Sequence, residues 1–358
     1  MSKIPPVKIQ GRLVGHGHRP LVVAEMSGNH NGDIDRALKL MIEAKKAGVD
    51  AVKLQTYTPD TITINHDGPE FILDKGLWEG RILYELYEEA HTPWAWHKKL
   101  FEMGKELDLI VFSAPFDHTA VDFLEELNCP AYKIASPEII DIPLIKKVAS
   151  TKKPIIISTG MATFEEISEA VSAASEGNPS NVIVLHCTSS YPSEIHDANL
   201  TTIREIQEKL KVHTGLSDHT KGILTSVLSV GMGACLIEKH FTLKRSDGGV
   251  DSAFSLEASE LKELVREVHA AASALGSPSF APLDAESTVF KNRRSLYVTA
   301  DIETGDPFTT KNVRSIRPGY GLRPKFLPFV LGRLSTRSIK FGEPLEESMI
   351  VGGLSDDV

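Results

Sequence analysis

Cysteine is scarce in this 358-residue sequence, and long apolar segments are missing. The three cysteines, Cys129, Cys187 and Cys235, are scattered and lack the CxxC spacing of metal-binding and redox sites. No segment approaches about eighteen uninterrupted apolar residues, and residues 1–20 lack the apolar stretch of a signal peptide. We therefore expect a cytoplasmic protein with no membrane association, whose cysteines are reduced packing residues.

Positive charge and aromatic residues are also in short supply. The formal net charge is −9, the sequence pI is about 5.8, and aromatic residues make up 7% of the chain. No basic stripe interleaved with aromatic residues is present, and nucleic-acid-binding proteins usually have one. The composition therefore argues against a nucleic-acid-binding protein. Any anionic ligand must therefore be bound by local cations.

Short apolar runs alternate with amphipathic segments over most of the chain. The runs are "PLVVAE", "DAVKLQT", "LIVFSAPF", "PAYKIAS", "PIIISTG", "NVIVLHCTS", "VHTGLSD" and "ACLIEKHFT". Each run predicts a strand buried on both faces. Several of the helical segments between them begin at a potential capping residue, Asp33, Thr163 or Asn199. Eight such units in about 260 residues predict a (β/α)8 TIM barrel, and no GxGxxG follows the first strand to suggest a dinucleotide-binding sheet.

The chain changes character after residue 280. "ADIETGDPFTTKNV" and "RSIKFGEPLEESMI" repeat one pattern at an offset of 37 residues, which predicts a small two-fold β module. We therefore divide the chain into a barrel domain at 1–280 with an N-terminal extension at 1–19, a linker at 281–292 and a β-rich domain at 293–358. The connection from Tyr57 to about His91 is much longer than an ordinary βα loop and is expected to face the substrate.

Polar residues stand at the carboxyl end of nearly every predicted strand. They are Glu25, Lys53, Gln55, Ser113, Lys133, Ser136, Ser158, Thr159, Thr188, Ser189, Ser217, Asp218, His219, Glu238 and His240. In a barrel these ends meet at one mouth, where the active sites of this fold lie. The two lysines, on different strands and among hydroxyls, suit a phosphate plus a carboxylate; the alternative is that they snorkel at the barrel rim.

His219 and His240 fall at the ends of the seventh and eighth strands, so both rings could bind one metal ion. Two imidazoles leave open coordination positions, as catalytic sites require, although a lone histidine at a strand end is more often a satisfied core residue. Glu25 could orient substrate hydroxyls or accept a proton, or it could simply pair with a lysine at the rim.

These segments carry a family resemblance. "AEMSGNHNG", "VKLQTY", "FSAPFD", "YKIAS", "ISTGMAT", "LHCTSSYP", "GLSDHT" and "IEKHFT", in this order, resemble the nonulosonic (sialic) acid synthases. The tail "RSLYVTADIETGDPFTTKNVRSIRPGYGL" is similar to the antifreeze-protein-like, or SAF, domain of that family. The resemblance implies a metal-dependent condensation of phosphoenolpyruvate with an open-chain acetamido sugar and water, with phosphate released by C–O cleavage.

The resemblance also implies roles for individual residues. The residues implied to bind phosphoenolpyruvate are Lys53, Ser113, Lys133, Ser136, Ser158, Ser189 and Ser217, with Ser189 at a position where the family typically has Asn. Those implied to contact the sugar are Glu25, Gln55, Tyr191, Asp251 and Arg317. His219 and His240 are the implied ligands of a divalent metal, most readily Mn²⁺, with Mg²⁺ or Co²⁺ as alternatives, and Glu238 is expected to lie behind them.

The long second loop resembles that of synthases that use 2,4-diacetamido-2,4,6-trideoxy-L-altrose. Taken with the start of the helical segment that follows it, this loop spans residues 56–101 and contains Trp78, Trp94 and Trp96. The three tryptophans would suit a sugar with an extra acetamido group and a methyl, unless they only pack the loop. N-acetylmannosamine or the legionaminic acid precursor are the alternative acceptors, and a non-catalytic carbohydrate-binding protein is the alternative of another class. The family likeness also implies a domain-swapped homodimer in which Arg317 reaches the partner's barrel.

Overall fold

The computed structural model describes residues 4–176 and 179–354, which form two compact units that divide between Gly276 and Ser277. The first unit opens with an antiparallel hairpin of β1 (Val7–Ile9) and β2 (Arg12–Val14). Val7, Ile9 and Val14 are buried in the main core. Nε2 of His213 lies 3.0 Å from the carbonyl oxygen of Pro5, which fixes the segment before this hairpin at the amino-terminal end of the barrel.

Eight parallel strands close into a barrel, which confirms the predicted fold class. They are β3 (Leu21–Glu25), β4 (Ala51–Thr56), β5 (Ile110–Pro115), β6 (Tyr132–Ile134), β7 (Ile155–Ser158), β8 (Val182–Cys187), β9 (His213–Asp218) and β10 (Leu236–His240). Each of the eight apolar runs in the sequence contributes one strand. Strand β10 pairs with both β9 and β3, and this pairing closes the ring.

Helices follow the strands around the outside of the barrel. They are α1 (Ile34–Ala47), α2 (Pro59–Ile62), α3 (Leu83–Ala90), α4 (Trp94–Glu106), α5 (His118–Glu126), α6 (Ile142–Ser150), α7 (Phe164–Ser175), α8 (Thr202–Leu210), α9 (Leu224–Gly231) and α10 (Ala258–Leu275). Asp33 and Thr163 cap α1 and α7 with their side chains as predicted. The expected cap at Asn199 is wrong: α8 begins after Thr201, and the Asn199 amide donates to the carbonyl oxygen of Asp197.

The second unit is a small β-rich module. It contains α11 (Ser287–Phe290), β11 (Ser295–Val298), β12 (Val313–Ile316) and α12 (Leu327–Val330), with β11 and β12 antiparallel. The two sequence repeats pair with each other, because Ile302 and Ile339 exchange two backbone hydrogen bonds of 2.9 Å. Equivalent bridges join Pro307 to Leu334 and Pro344 to Tyr297, which confirms the predicted two-fold module.

No helix in the described ranges is both long and apolar enough to cross a membrane.

Candidate active site

One ring of side chains points into the barrel at the carboxyl ends of its strands. Side chains alternate along a strand, and register partners in neighbouring parallel strands share a face. Glu25 is the register partner of both Lys53 and His240, and Glu238 is the partner of Ser217. The same alternation directs Lys133, Ser158 and Cys187 inward on the remaining strands. The barrel therefore collects cations, carboxylates, hydroxyls and imidazoles at one mouth.

The two inward lysines are held by buried carboxylates. Nζ of Lys53 lies 2.8 Å from Oε2 of Glu25 and 3.5 Å from Oε1 of Glu238, and Nζ of Lys133 lies 3.0 Å from the same Glu238 oxygen. Only 3% of Lys53 and 2% of Lys133 is exposed, so the alternative of snorkelling at the rim is wrong. Ser217 also donates to Oε1 of Glu238 at 3.3 Å. Glu238 is thus the shared partner of both cations.

The two glutamates have pKa values displaced in opposite directions. Burial raises the pKa of Glu25 to about 7, more than Lys53 lowers it, and the negative charge of Glu238 adds to the rise. Burial acts the same way on Glu238, but Lys133 and Lys53 together hold its pKa below the ordinary value. Carboxylates separated in this way can serve different roles, one changing its protonation near neutral pH and one staying ionised.

Serine hydroxyls and one backbone amide meet beside Lys133. The amide of Gly160, which follows strand β7, donates to Oγ of Ser136 at 3.1 Å. A Cβ on Gly160 would lie 2.0 Å from Oγ of Ser189 and 2.8 Å from Oγ of Ser136, so a side chain at position 160 would displace both hydroxyls. The hydroxyl of Ser158 is buried and has no hydrogen-bond partner within the described residues. We refer to Ser136, Ser158, Ser189 and Gly160 as the serine cradle; its free hydroxyl and its nearby lysine suit an anion.

The two histidines lie side by side on the last two strands. The ring centroids of His219 and His240 are 5.3 Å apart. Nδ1 of His219 lies 3.0 Å from the carbonyl oxygen of Thr188 and donates to it, which leaves Nε2 as an acceptor. Nδ1 of His240 is buried without a hydrogen-bond partner among residues 4–176 and 179–354. Burial and the neighbouring His219 hold the pKa of His240 well below its ordinary value, so this ring is neutral.

This pair fits two of the ligands of a divalent metal. Neutral imidazole nitrogens are common ligands of transition metals, and the hydrogen bond from His219 to a backbone carbonyl is the usual way to orient such a ring. Burial lowers the pKa of His219, but Cys187 and the Thr188 carbonyl raise it above its ordinary value, so metal binding would displace a proton. The described residues contain no group of three or more His, Cys, Asp or Glu side chains able to hold a metal. Water and substrate oxygens would supply the other ligands.

Several predicted sugar contacts lie around these rings. Nε2 of Gln55 donates to Oε1 of Glu25 and to Oγ of Ser27, both at 3.0 Å. Ser27 in turn donates to Oδ2 of Asp251, which lies 3.6 Å from Nδ1 of His240. These groups form a continuous polar chain from Glu25 to the histidines.

Of the three tryptophans, one reaches this site. Trp78 packs against Tyr191 with ring centroids 5.5 Å apart, and Tyr191 packs against His219 at 4.4 Å. Trp94 instead stacks on Phe123 at 4.6 Å, and Trp96 packs edge-on against His30. The loop-packing alternative therefore describes Trp94 and Trp96 but not Trp78.

Ser113 is not brought to the mouth. Its register partners are Leu54 and Tyr132, which point toward the helices, and its hydroxyl lies 2.6 Å from Oγ1 of Thr56. Thr56 is in turn 2.8 Å from Nε2 of His97 on α4. The expectation that Ser113 contacts phosphoenolpyruvate is corrected by this orientation, because the hydroxyl belongs to the outer layer of the barrel.

Arg317 lies in the second unit, where it is exposed and follows strand β12. The Arg317 guanidinium can therefore be presented to a ligand by the second unit.

Ser27, Cys187 and Phe254 are side chains of the site that the sequence does not predict as site residues, and Glu238 occupies a different place from the predicted one. Glu238 was expected to lie behind the metal ligands, although its alternation with His240 already indicated an inward side chain. Phe254 is buried, and its ring centroid lies 4.8 Å from that of His240. No local pattern distinguishes Phe254 from an ordinary core residue.

Comparisons with known proteins agree with this architecture. The sequence pattern of the NeuB family matches residues 40–279, and that of the SAF domain matches residues 293–351. The first match spans the barrel from α1 to just beyond α10, and the second spans most of the small unit.

Individual relatives are similar over nearly the whole chain. The pseudaminic acid synthase of Campylobacter jejuni is 46% identical over 91% of this chain and 95% of its own length. The N,N'-diacetyllegionaminic acid synthase of Legionella pneumophila is 34% identical over 90% of this chain and 92% of its own length. The crystal structure of an N-acetylneuraminic acid synthetase from Leptospira borgpetersenii, in complex with citrate, is 30% identical, with a TM-score of 0.72 over 81% of this chain and 96% of its own.

Proposed function

The chain belongs to the NeuB family, and we propose that it makes pseudaminic acid from phosphoenolpyruvate, 2,4-diacetamido-2,4,6-trideoxy-L-altrose and water, with release of phosphate. The observation that carries this proposal is the buried Lys53 and Lys133 pair, which shares the mouth of the barrel with the serine cradle and two imidazoles. A phosphate-bearing substrate and a carbonyl substrate can thus meet in one mouth. The choice of sugar is supported by 46% identity to a pseudaminic acid synthase against 34% to a legionaminic acid synthase.

Phosphoenolpyruvate binds to the lysines and the cradle. Its phosphate and carboxylate accept hydrogen bonds from Lys133, Lys53, the free Ser158 hydroxyl and the other cradle serines. Glu238 lies against both ammonium groups before the substrate arrives and favours their charged forms. Ser217, which already donates to Glu238, lies within the same group and can turn toward the substrate.

The sugar binds between the histidines, Gln55 and Asp251, with Arg317 as a further contact. His219 and His240 would hold a divalent ion, with Mn²⁺ proposed first, which as a Lewis acid would supply polarisation of the aldehyde oxygen at C1. C3 of phosphoenolpyruvate forms a bond to C1, water adds at C2, and the C2–O bond to phosphate breaks to leave the C2 ketone. The two protons of that water end on the C1 oxygen, which becomes a hydroxyl, and on the released phosphate. Glu25, with its pKa near 7, is placed to accept a proton during these steps.

A carbohydrate-binding protein without activity would have no use for several of these features. A neutral carbohydrate offers no anionic group to the two inward lysines and needs no pair of adjacent imidazoles, so carbohydrate binding alone leaves Lys53, Lys133, His219 and His240 unexplained. The similar proteins of Campylobacter jejuni and Legionella pneumophila carry the names of synthases, so this alternative is not favoured.

We also propose that the chain acts in the cytoplasm as a homodimer in which each second unit serves the partner's barrel. Support comes from large apolar side chains that are exposed after four successive barrel strands, β6 to β9. They are Ile140, Met161, Ile195 and Leu224. Large apolar side chains exposed after neighbouring strands are typical of a surface that another chain covers.

The reaction is tested by measuring phosphate release from phosphoenolpyruvate with three acceptors in parallel. We expect release with 2,4-diacetamido-2,4,6-trideoxy-L-altrose in the presence of Mn²⁺, and loss of release after EDTA treatment that Mn²⁺ reverses. N-acetylmannosamine and the legionaminic acid precursor serve as matched acceptors. Release with one of these instead would keep the chemistry and change the sugar, whereas no release with any acceptor would contradict the proposal.

A further inference from the structure

The long connection after β4 contains a small hairpin that presents Trp78. Ile72 and Ile82 form an antiparallel bridge, the amide of Leu73 donates to the carbonyl oxygen of Arg81 at 3.0 Å, and the amide of Gly80 donates back to Leu73 at 2.7 Å. Gly76 and Gly80 have φ angles of 89° and 81°, a left-handed conformation that glycine adopts without strain. The segment is therefore an ordered turn with one large aromatic side chain at its tip.

Trp78 is fastened to the connection that follows the eighth barrel strand. Its indole Nε1 donates to the carbonyl oxygen of Val250 at 2.9 Å, across 172 residues of sequence. Its ring lies 5.5 Å from that of Tyr191 and 6.5 Å, edge-on, from that of Phe254. We call Trp78, Tyr191 and Phe254 the aromatic wall.

The aromatic wall begins at the two histidines and ends at Trp78. The ring centroid of Tyr191 is 4.4 Å from that of His219, and that of Phe254 is 4.8 Å from that of His240. An extended six-carbon sugar measures about 6 Å from C1 to C6, since each C–C bond is about 1.5 Å long. When C1 is at the imidazoles and the chain runs along the wall, C6 reaches the neighbourhood of Trp78.

The chemistry of Trp78 favours an apolar group at that position. Nε1–H is the one polar group of an indole, and here it is already bonded to Val250. A hydroxyl pressed against the ring would lose water without gaining a partner from the indole, whereas a methyl group would gain by leaving water.

We propose that Trp78 recognises the C6 methyl group of the acceptor and so discriminates 6-deoxy sugars from their 6-hydroxy counterparts. This inference rests on the proposed function and specifies the part of the sugar that the aromatic wall contacts. Discrimination of a methyl from a hydroxymethyl group in an apolar pocket is typically about 10- to 100-fold in kcat/KM. The wild-type protein is expected to prefer the 6-deoxy sugar by that factor.

The test compares kcat/KM for 2,4-diacetamido-2,4,6-trideoxy-L-altrose and for its 6-hydroxy analogue, using phosphate release. In Trp78→Ala we expect the preference to fall to about threefold or less, because the apolar surface is gone. Trp78→Phe should keep most of the preference, since it keeps an aromatic face while losing the bond to Val250. The ratio between the two sugars is the informative quantity, because a loop that is merely loosened lowers both values together.

Trp94 supplies a matched control. It also donates from Nε1 to a backbone carbonyl, that of Tyr57 at 3.2 Å, but its ring stacks on Phe123 away from the aromatic wall. Trp94→Ala should leave the sugar ratio unchanged, with thermal unfolding used to confirm that each variant is folded. An unchanged ratio of kcat/KM between the two sugars in Trp78→Ala, including the case in which both values fall equally, would overturn the inference and leave the proposed function standing. Absence of turnover with either sugar in the wild-type protein would overturn both.

Discussion

Glu25 and Glu238 illustrate how position within one ring of residues decides the charge of a carboxyl group. Glu238 has two ammonium partners, Lys53 and Lys133, and its pKa lies below the ordinary value. Glu25 has one ammonium partner and faces the negative charge of Glu238, so burial prevails and its pKa rises to about 7. The same reasoning explains the lysines. Burial is offset by two carboxylates at Lys53, whose pKa is raised, but by only one at Lys133, whose pKa is lowered.

The pKa of Glu25 predicts a pH dependence. If Glu25 accepts a proton, kcat/KM should rise as pH increases through about 7, since only the ionised form is active. Glu25→Gln should remove this rise and lower kcat/KM by about 10²- to 10⁴-fold. The measurement is the pH profile of phosphate release for both proteins. Persistence of the rise in Glu25→Gln would assign it to another group, and Glu138, whose pKa burial also raises to about 7, would be the first candidate.

At the scale of elements, strands β9 and β10 are joined behind the histidines by a buried ion pair. Nζ of Lys239 lies 2.8 Å from Oδ2 of Asp218 and also donates to the carbonyl oxygen of Thr220 at 2.5 Å. Asp218 accepts further hydrogen bonds from Thr225 and Ser226. Each member of the pair is next to a histidine in sequence, on the outer face of its strand. The network therefore fixes the two strands on which His219 and His240 depend.

Removing one member of this ion pair should lower the stability of the barrel. Asp218→Asn leaves the Lys239 ammonium buried without a carboxylate, for which we expect a loss of about 3–5 kcal/mol in the free energy of unfolding of the barrel. Asp218→Asn combined with Lys239→Met should recover part of that loss, because no uncompensated charge remains. Urea unfolding measures both variants.

An exposed pair provides the comparison. Lys209 and Glu205 on α8 are 2.8 Å apart, with side chains more than half exposed, so Glu205→Gln should change stability little. A similar small effect for Asp218→Asn would contradict the assigned role of the buried pair.

At the scale of the whole molecule, the question is which barrel receives Arg317 from the second unit. In the proposed dimer, Arg317 of one chain contacts the sugar bound in the partner's barrel. The prediction uses two variants, His240→Ala in the barrel and Arg317→Ala in the second unit, each strongly impaired alone. If the second unit serves the partner's barrel, co-expression should restore about a quarter of wild-type activity, because half of the dimers are mixed and each has one intact site. Phosphate release of the purified mixture is the measurement.

Each variant co-expressed with a second copy of itself is the control. No recovery in the mixture, with dimers verified by light scattering, would show that each barrel is served by its own chain. A monomeric mass would contradict the dimer itself.

Several features could be predicted because they depend on neighbours in sequence. Alternating strand and helix segments indicated the barrel, and the repeat at an offset of 37 residues indicated the two-fold module. Alternation along strands also placed Lys53 with Gln55 and Ser217 with His219 on shared faces. These are local properties, because side-chain direction in a strand repeats every two residues.

The rest was decided by tertiary structure. Strand β5 is buried on both faces, so its composition does not tell whether Phe112 or Ser113 points inward; the register with β4 turns Ser113 outward. Trp78, Trp94 and Trp96 look alike in sequence, but only the turn at Gly76–Gly80 and the bond to Val250 bring Trp78 to Tyr191. The position of Glu238 between two lysines likewise depends on closure of the eight-stranded barrel, which brings β4, β6 and β10 together at one mouth. Sequence determined which residues could form the site, and contacts between residues far apart in the chain determined which of them do.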